Sequence, residues 1–230
     1  MSFKKIYFSQ LDSTNKTAKE LLQDGLVIVA GRQLRGRGRF RRSWSSSRGG
    51  LYCSITIATK DIEHSAHLTL AAAVAVRKAL FKLYQLGTVI KWPNDILFEG
   101  KKLCGILSET YKKHVIVGIG INTNNRVILE KASNVSKLLG KHVDNDKLLD
   151  ALLSYFGNYV YLYLHKKYSS IRADWKKYSF LGTYISVKTK TASYSGIAFD
   201  INKDCFLVIK DGPRKIVIRE GDLVLGDDGK

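Results

Sequence analysis

An α+β fold carrying a small β-barrel at its C-terminal end is predicted for this chain by three observations. Two long apolar stretches, Ala66–Tyr84 and Asp146–Lys167, have the composition and spacing of buried or amphipathic helices. Short runs rich in β-branched residues, bounded by glycine and polar turns, lie between them. From Gly182 the texture changes to alternating strands, which divides the chain into a main unit, 1–180, and a barrel, 181–230.

Residues 6–9 read as a short strand. Asp12-Ser13-Thr14-Asn15 is dense in helix-capping side chains and Gly25 is a stop signal, which together predict a helix over 14–24. Leu26–Ala30 and Leu51–Thr59 are apolar strands. Val89–Trp92, Ile96–Phe98, Leu103–Ser108 and Val115–Ile121 add four more, with Glu99-Gly100-Lys101 as a hairpin turn. A short helix over 169–178 follows the second long one. The closing strands turn at Asn202-Lys203-Asp204 and Asp211-Gly212-Pro213.

With 230 residues, 45% of them hydrophobic, and only two prolines, the chain can bury a substantial core without long disordered linkers. It has no apolar run of the roughly 18 residues a membrane span needs. Its start, Met-Ser-Phe-Lys-Lys-Ile-Tyr-Phe, lacks the apolar centre of a signal peptide. Cys53, Cys104 and Cys205 are far apart and sit in apolar stretches, the pattern of reduced thiols. A cytoplasmic protein without membrane contact is expected. The net charge of +18 raises a nucleic-acid partner. Much of that excess is lysine pairs such as Lys4-Lys5 and Lys176-Lys177, the pattern of a solvated surface.

One segment concentrates the charge. Residues 31–50 hold Arg32, Arg35, Arg37, Arg39, Arg41, Arg42 and Arg48 and no acid. Glycines let this backbone approach a ligand, and arginine presents planar, bidentate donors to phosphate or carboxylate. The segment is no P-loop, because Arg37-Gly38 stand where that motif needs Lys and Ser/Thr. Gly118-Ile-Gly120 opens like a dinucleotide fingerprint, but Thr123 replaces the third glycine. His64 and His67, three apart on one helical face, do not make a metal site by themselves.

Four polar constellations follow in order: Ser13-Thr14-Asn15; Gln33 through Gly36-Arg37-Gly38-Arg39 to Arg42 and Trp44; Lys91-Trp-Pro-Asn-Asp-Ile-Leu97; and Lys101-Lys-Leu-Cys-Gly-Ile-Leu-Ser-Glu109 with Gly118-Ile-Gly-Ile-Asn122. In isolation the first reads as a helix cap, the second as a nucleic-acid-binding loop, and Asn94-Asp95 as an ordinary turn. In this order and spacing the chain resembles the biotin protein ligases from about residue 5 to the C-terminal barrel. The arginine motif and the Lys-Trp-Pro-Asn-Asp run are the specific parts.

The resemblance implies a central mixed β-sheet flanked by helices, with an SH3-like C-terminal barrel. It implies that biotin is activated by ATP as biotinyl-5'-AMP and then transferred to a lysine of a biotin carboxyl carrier domain. Ser13, Thr14, Asn15 and Gln33 would bond the ureido ring of biotin, and Gly36, Arg37 and Gly38 would pass its tail. Arg39 and Arg42 would face phosphates, Trp44 would wall the site, and Asn94 and Asn122 would place the nucleotide. Lys102 would bridge the biotin carboxyl and the α-phosphate, with Gly105 keeping the strand clear. Lys102 and Arg39 are thus the expected catalytic pair. Mg²⁺ is expected with ATP, and no protein metal site. The charged loop is expected to be disordered when empty and to fold over the adenylate.

Relatives commonly carry Gly in place of Arg41 and a small residue in place of Leu34. Because the Ser-Thr-Asn segment starts at residue 13, no room is left for a DNA-binding domain, and a ligase without specific DNA is expected. A homodimer is left open. Two other readings stand beside this one. A lipoate–protein ligase shares the adenylation logic but lacks the Lys-Trp-Pro-Asn-Asp run. A basic nucleic-acid-binding module would bind DNA or RNA in a salt-sensitive way and without ATP.

Overall fold

A computed structural model of the chain describes residues 2–225. Its elements are β1 (Lys4–Phe8), α1 (Thr14–Leu21), β2 (Leu26–Ala30), β3 (Leu51–Ala58), α2 (Ala66–Tyr84), β4 (Val89–Lys91), β5 (Asp95–Phe98), β6 (Lys101–Tyr111), β7 (His114–Ile121), α3 (Val135–Leu139), α4 (Asn145–Leu164), α5 (Tyr168–Lys177), β8 (Tyr184–Lys188), β9 (Ser193–Ile201), β10 (Leu207–Asp211), β11 (Arg214–Ile218) and β12 (Asp222–Leu225).

Seven strands form a mixed sheet in the order β1-β2-β3-β7-β6-β5-β4. Only β1 and β2, joined through α1, run parallel; the other neighbours are antiparallel. The predicted α2 is present with its bounds unchanged. It packs with α4 on one face of the sheet, burying Leu70, Val74, Leu149, Leu152 and Phe156 among a single large cluster of apolar side chains. The opposite face receives α1, whose Ala18 meets Leu26, Ile28 and Ile116.

Some boundaries differ from expectation, each for a local reason. α1 ends at Leu21, short of 24, because Gly25 is tied into the sheet: its carbonyl accepts from Lys4 N and its N–H donates to Thr56 O. α4 ends at Leu164, short of 167, where Lys166 takes a left-handed conformation, φ 57°. β6 is longer than expected because its ladder with β7 runs on to the Tyr111–His114 pair. The short α3 had no forecast; Asn134 caps it by accepting from Lys137 N. The Glu99–Gly100 turn joins β5 to β6 with both residues at positive φ, as a tight two-residue hairpin requires.

Where a barrel is expected over 181–230, the described residues form a separate five-stranded antiparallel sheet, β11-β10-β9-β8-β12. Residues 226–230 of that expectation lie outside the described residues. The apolar cluster runs through both sheets, joining Ile185, Val187 and Leu207 to Trp92 and Trp175. Trp92 Nε1 also donates to Cys205 O at 2.9 Å, across that junction.

Candidate active site

A cavity of about 890 Å³ opens between the arginine segment, β5–β7 and β12. The arginine segment is itself a small hairpin. Gly36 O accepts from Trp44 N, Arg37 pairs with Ser43, and Gly38 N donates to Arg42 O. At its tip Phe40 and Arg41 lie at φ 53° and 59°, the left-handed region that glycine occupies without strain.

The hairpin carries Trp44 back onto the sheet. A Cβ on Gly105 would stand 2.8 Å from the Trp44 ring, and one on Gly120 would stand 2.5 Å from its Nε1. These strand positions are therefore bare because an indole lies flat on the backbone. Lys102 Nζ sits 5.2 Å from the centre of that ring and 2.7 Å from Asp95 Oδ1.

One end of the cavity is neutral and already wired. Gln33 Oε1 accepts from Thr14 N at 2.8 Å and from Thr14 Oγ1 at 3.1 Å, while Gln33 Nε2 donates to Ser46. Ser54 Oγ lies 2.7 Å from Thr14 Oγ1 and 2.6 Å from Asn15 Oδ1. Ser13 stands at the N-terminus of α1, yet among the described residues its side chain makes no capping bond, and it lines the cavity instead. The cap reading of Ser13 is thereby set aside.

The other end is cationic. Arg39, Arg42, Lys91, Lys102 and Lys131 line the cavity against Asp95 and Asp222, whereas Arg37 lies toward the neutral end, 3.2 Å from Glu109. Burial holds the Lys91 ammonium and the Arg39 guanidinium below their ordinary ranges, only partly offset by Asp95. Cations short of both water and counter-charge form a ready receptor for a polyanion. Arg39 reaches Asn94 Oδ1 at 3.5 Å, and Asn94 is fixed to β6 by Nδ2 donating to Ile106 O and by its own carbonyl accepting from Ile106 N. Arg42 spans Asp222 of β12 with both guanidinium nitrogens. That hydrogen bond from Arg42 keeps the Asp222 carboxyl below the usual range.

Ser13, Thr14, Asn15, Gln33, Arg37, Gly38, Arg39, Arg42, Trp44, Asn94, Lys102 and Gly105 thus converge on one cavity. Gly36 and Asn122 do not line it. Gly36 packs under the hairpin against Trp44 O and Ser46. Asn122 is buried beyond β7, where its Oδ1 accepts from Asn125. Sequence reasoning passed over Lys91 and Asp95, although both lie in the Lys-Trp-Pro-Asn-Asp run. It also passed over Ser54 and Asp222, which carry no motif.

The chain belongs to the biotin/lipoate A/B protein ligase family, whose family model matches residues 7–122. It is 32% identical, over 96% of its length and 74% of the relative's, to the bifunctional ligase/repressor BirA of Bacillus subtilis. It is 30% identical to the biotin–[acetyl-CoA-carboxylase] ligase of Mycobacterium tuberculosis, over 87% of this chain and 79% of that one. Among solved structures, the biotin protein ligase from Aquifex aeolicus in complex with biotin and ATP superposes with a TM-score of 0.88 at 29% identity. That match covers 97% of this chain and 99% of the other.

Proposed function

We propose that the protein is an ATP-dependent biotin protein ligase of the biotin–[acetyl-CoA-carboxylase] ligase type. A biotin carboxylate oxygen attacks the α-phosphorus of ATP, the bond to the bridging oxygen breaks, and pyrophosphate departs, leaving biotinyl-5'-AMP. The neutral amine of a lysine on a biotin carboxyl carrier domain then attacks the acyl carbon. The acyl–oxygen bond breaks, AMP leaves, and the extra amine proton passes to solvent. No enzyme nucleophile is required, so the protein contributes positioning and charge neutralisation.

The observation that carries this reading is the polarity of the cavity, neutral hydrogen-bonding groups at one end and clustered cations at the other. Ser13, Thr14, Asn15 and Gln33 suit the ureido ring, which offers two N–H donors and one carbonyl acceptor. Lys102, between Trp44 and Asp95, would bridge the carboxylate and the α-phosphate. Arg39, Arg42 and Lys91 would take phosphate charge, with Asn94 placing the nucleotide and Gly105 and Trp44 shaping the wall. Asn122 and Gly36 would act from behind the lining.

Among the described residues no group of three or more His, Cys, Asp or Glu could hold a metal ion. Mg²⁺ would enter as part of the nucleotide, carried on phosphate oxygens, where it would neutralise the leaving pyrophosphate. We assign catalysis to 1–180 and read the described part of 181–230 as an SH3-like barrel; the antiparallel β11-β10-β9-β8-β12 order supports that. A cytoplasmic setting suits Cys53, Cys104 and Cys205, which are free and buried. Among the described residues no helix is long and apolar enough to cross a membrane.

The test is incubation with ATP, Mg²⁺, a carrier domain and either biotin or lipoate, followed by streptavidin blotting and intact mass. Biotin-sized addition that needs ATP is expected. Lipoate addition in its place, or no addition to any carrier, overturns the reading.

A further inference from the structure

Glu109 lies outside the cavity lining, on β6, yet three donors meet on its one carboxylate: Asn15 and Lys19 from α1, and Arg37 from the arginine hairpin. Asn15 Nδ2 donates to Oε2 at 2.8 Å. Lys19 Nζ donates to Oε1 at 2.9 Å, and Arg37 Nη1 stands 3.2 Å from the same oxygen. The carboxylate side chain is only 18% exposed. Burial alone would raise its pKa, but the bonds from Lys19 and Asn15 outweigh that and hold it below the usual range.

The consequence falls on Asn15. A side-chain amide is nearly symmetric in shape, so its orientation is decided by partners. Both hydrogens of Asn15 Nδ2 are taken, one by Glu109 and the other by Leu107 O. Its Oδ1 is therefore turned toward Ser54 and over Gly118, where a Cβ would overlap it. The same carboxylate holds Arg37, on the first strand of the arginine hairpin.

We propose that Glu109 is a positioning residue for the biotin end of the site: it fixes the Asn15 amide as an acceptor and fastens Arg37 beside it. This inference rests on the biotin-ligase reading. Glu109→Gln keeps the shape but sets an NH₂ group against donors it cannot bond, so Asn15 and Arg37 lose their common anchor.

Steady-state kinetics of biotin-dependent ATP–pyrophosphate exchange test it. For Glu109→Gln the KM for biotin should rise about tenfold, with the KM for ATP and kcat at saturating biotin within about threefold of the parent. A merely structural role would lower the active fraction, and so kcat, while leaving the biotin KM alone. If that variant does not fold, Glu109→Asp serves: it keeps the charge but draws the carboxylate back from Asn15. An unchanged biotin KM in the folded variant overturns the inference. Failure of the parent protein to exchange pyrophosphate with biotin would instead overturn the ligase reading.

Discussion

Lys102 Nζ stands 2.7 Å from Asp95 Oδ1 and 5.2 Å from the centre of the Trp44 ring. Asp95 is placed for this by pairing with Gly105 in the β5–β6 ladder, and Lys102 by pairing with Leu97 just past the turn of the same hairpin. The strand pairing thus aims an ammonium along the aromatic wall before any substrate arrives. A carboxylate and an α-phosphate brought there would compete with Asp95 for that charge.

Lys102→Ala should therefore remove activity without removing the fold. Adenylate formation, followed by pyrophosphate exchange, is expected to fall by about a hundredfold or more. A partly exposed ion pair contributes about 0–1 kcal/mol, so the melting transition should move by only a few degrees. A collapsed melt would make the lysine structural.

Gly120→Ala tests the seat of Trp44. The new methyl group would meet the indole Nε1, while Gly120 keeps its backbone pairing with Gly105. Overpacking of this kind costs about 1–3 kcal/mol, and the affinities for biotin and ATP should both fall by about tenfold. Equilibrium titration of both ligands reads this. Retained affinity for both would show that the indole can slide without consequence.

The hairpin tip makes an opposite forecast. Arg41 holds φ 59°, which costs a non-glycine residue roughly 1 kcal/mol. Glycine relieves that strain but loosens the unfolded chain by a similar amount. Arg41→Gly should leave the melting temperature within about 2 °C of the parent. A large loss of stability would mean that the guanidinium itself holds the tip.

That position shows what was legible in the sequence. The resemblance marked Arg41 as a departure from glycine, but only the backbone angle supplies the reason. The helices and strands were readable because period and turn chemistry are local, and α2 appears with its predicted bounds. Most residues named from the motifs meet on one cavity, although Gly36 and Asn122 do not line it and Lys91 and Asp95 were passed over. Asp222 was not, because its partner Arg42 is 180 residues away and no local pattern encodes that pairing. Ser54 was hidden for a similar reason. It looks like one polar residue in an apolar strand, and becomes meaningful only when α1 lays Thr14 and Asn15 across it.

Arg42 and Asp222 give a prediction about the loop. The pair ties an exposed, arginine-rich hairpin to β12. Trypsin should cut the hairpin of the parent protein more slowly when biotin and ATP are both present. Asp222→Ala should speed cutting in their absence, by about two- to fivefold for a surface pair. Equal cutting with and without ligands would show that the hairpin does not close on them.

His67 sets a pH dependence away from the site. Burial depresses its pKa to about 4. Its Nδ1 lies 3.1 Å from His64 O, and its Nε2 faces Arg172 Nη1 at 2.9 Å. The unfolded imidazole protonates near 6.5, so between that pH and 4 the unfolded chain binds more protons than the native one. His67 therefore supports stability above pH 6.5, and that support is lost as pH falls toward 4. The loss is on the order of 3 kcal/mol. Denaturant titrations across this range should show the slope in the parent and a shallower one in His67→Gln, which can still accept from Arg172.

The bare glycines under Trp44 and Asn15 bear on how this protein can drift. Gly105, Gly118 and Gly120 sit on two central strands whose pairing is made by backbone atoms alone. Any side chain acquired there leaves the ladder intact and takes up the space that Trp44 and Asn15 occupy. Such substitutions would yield chains that keep the sheet but lose the seat of Trp44 or Asn15. At these three positions selection would act on usefulness after folding has already succeeded.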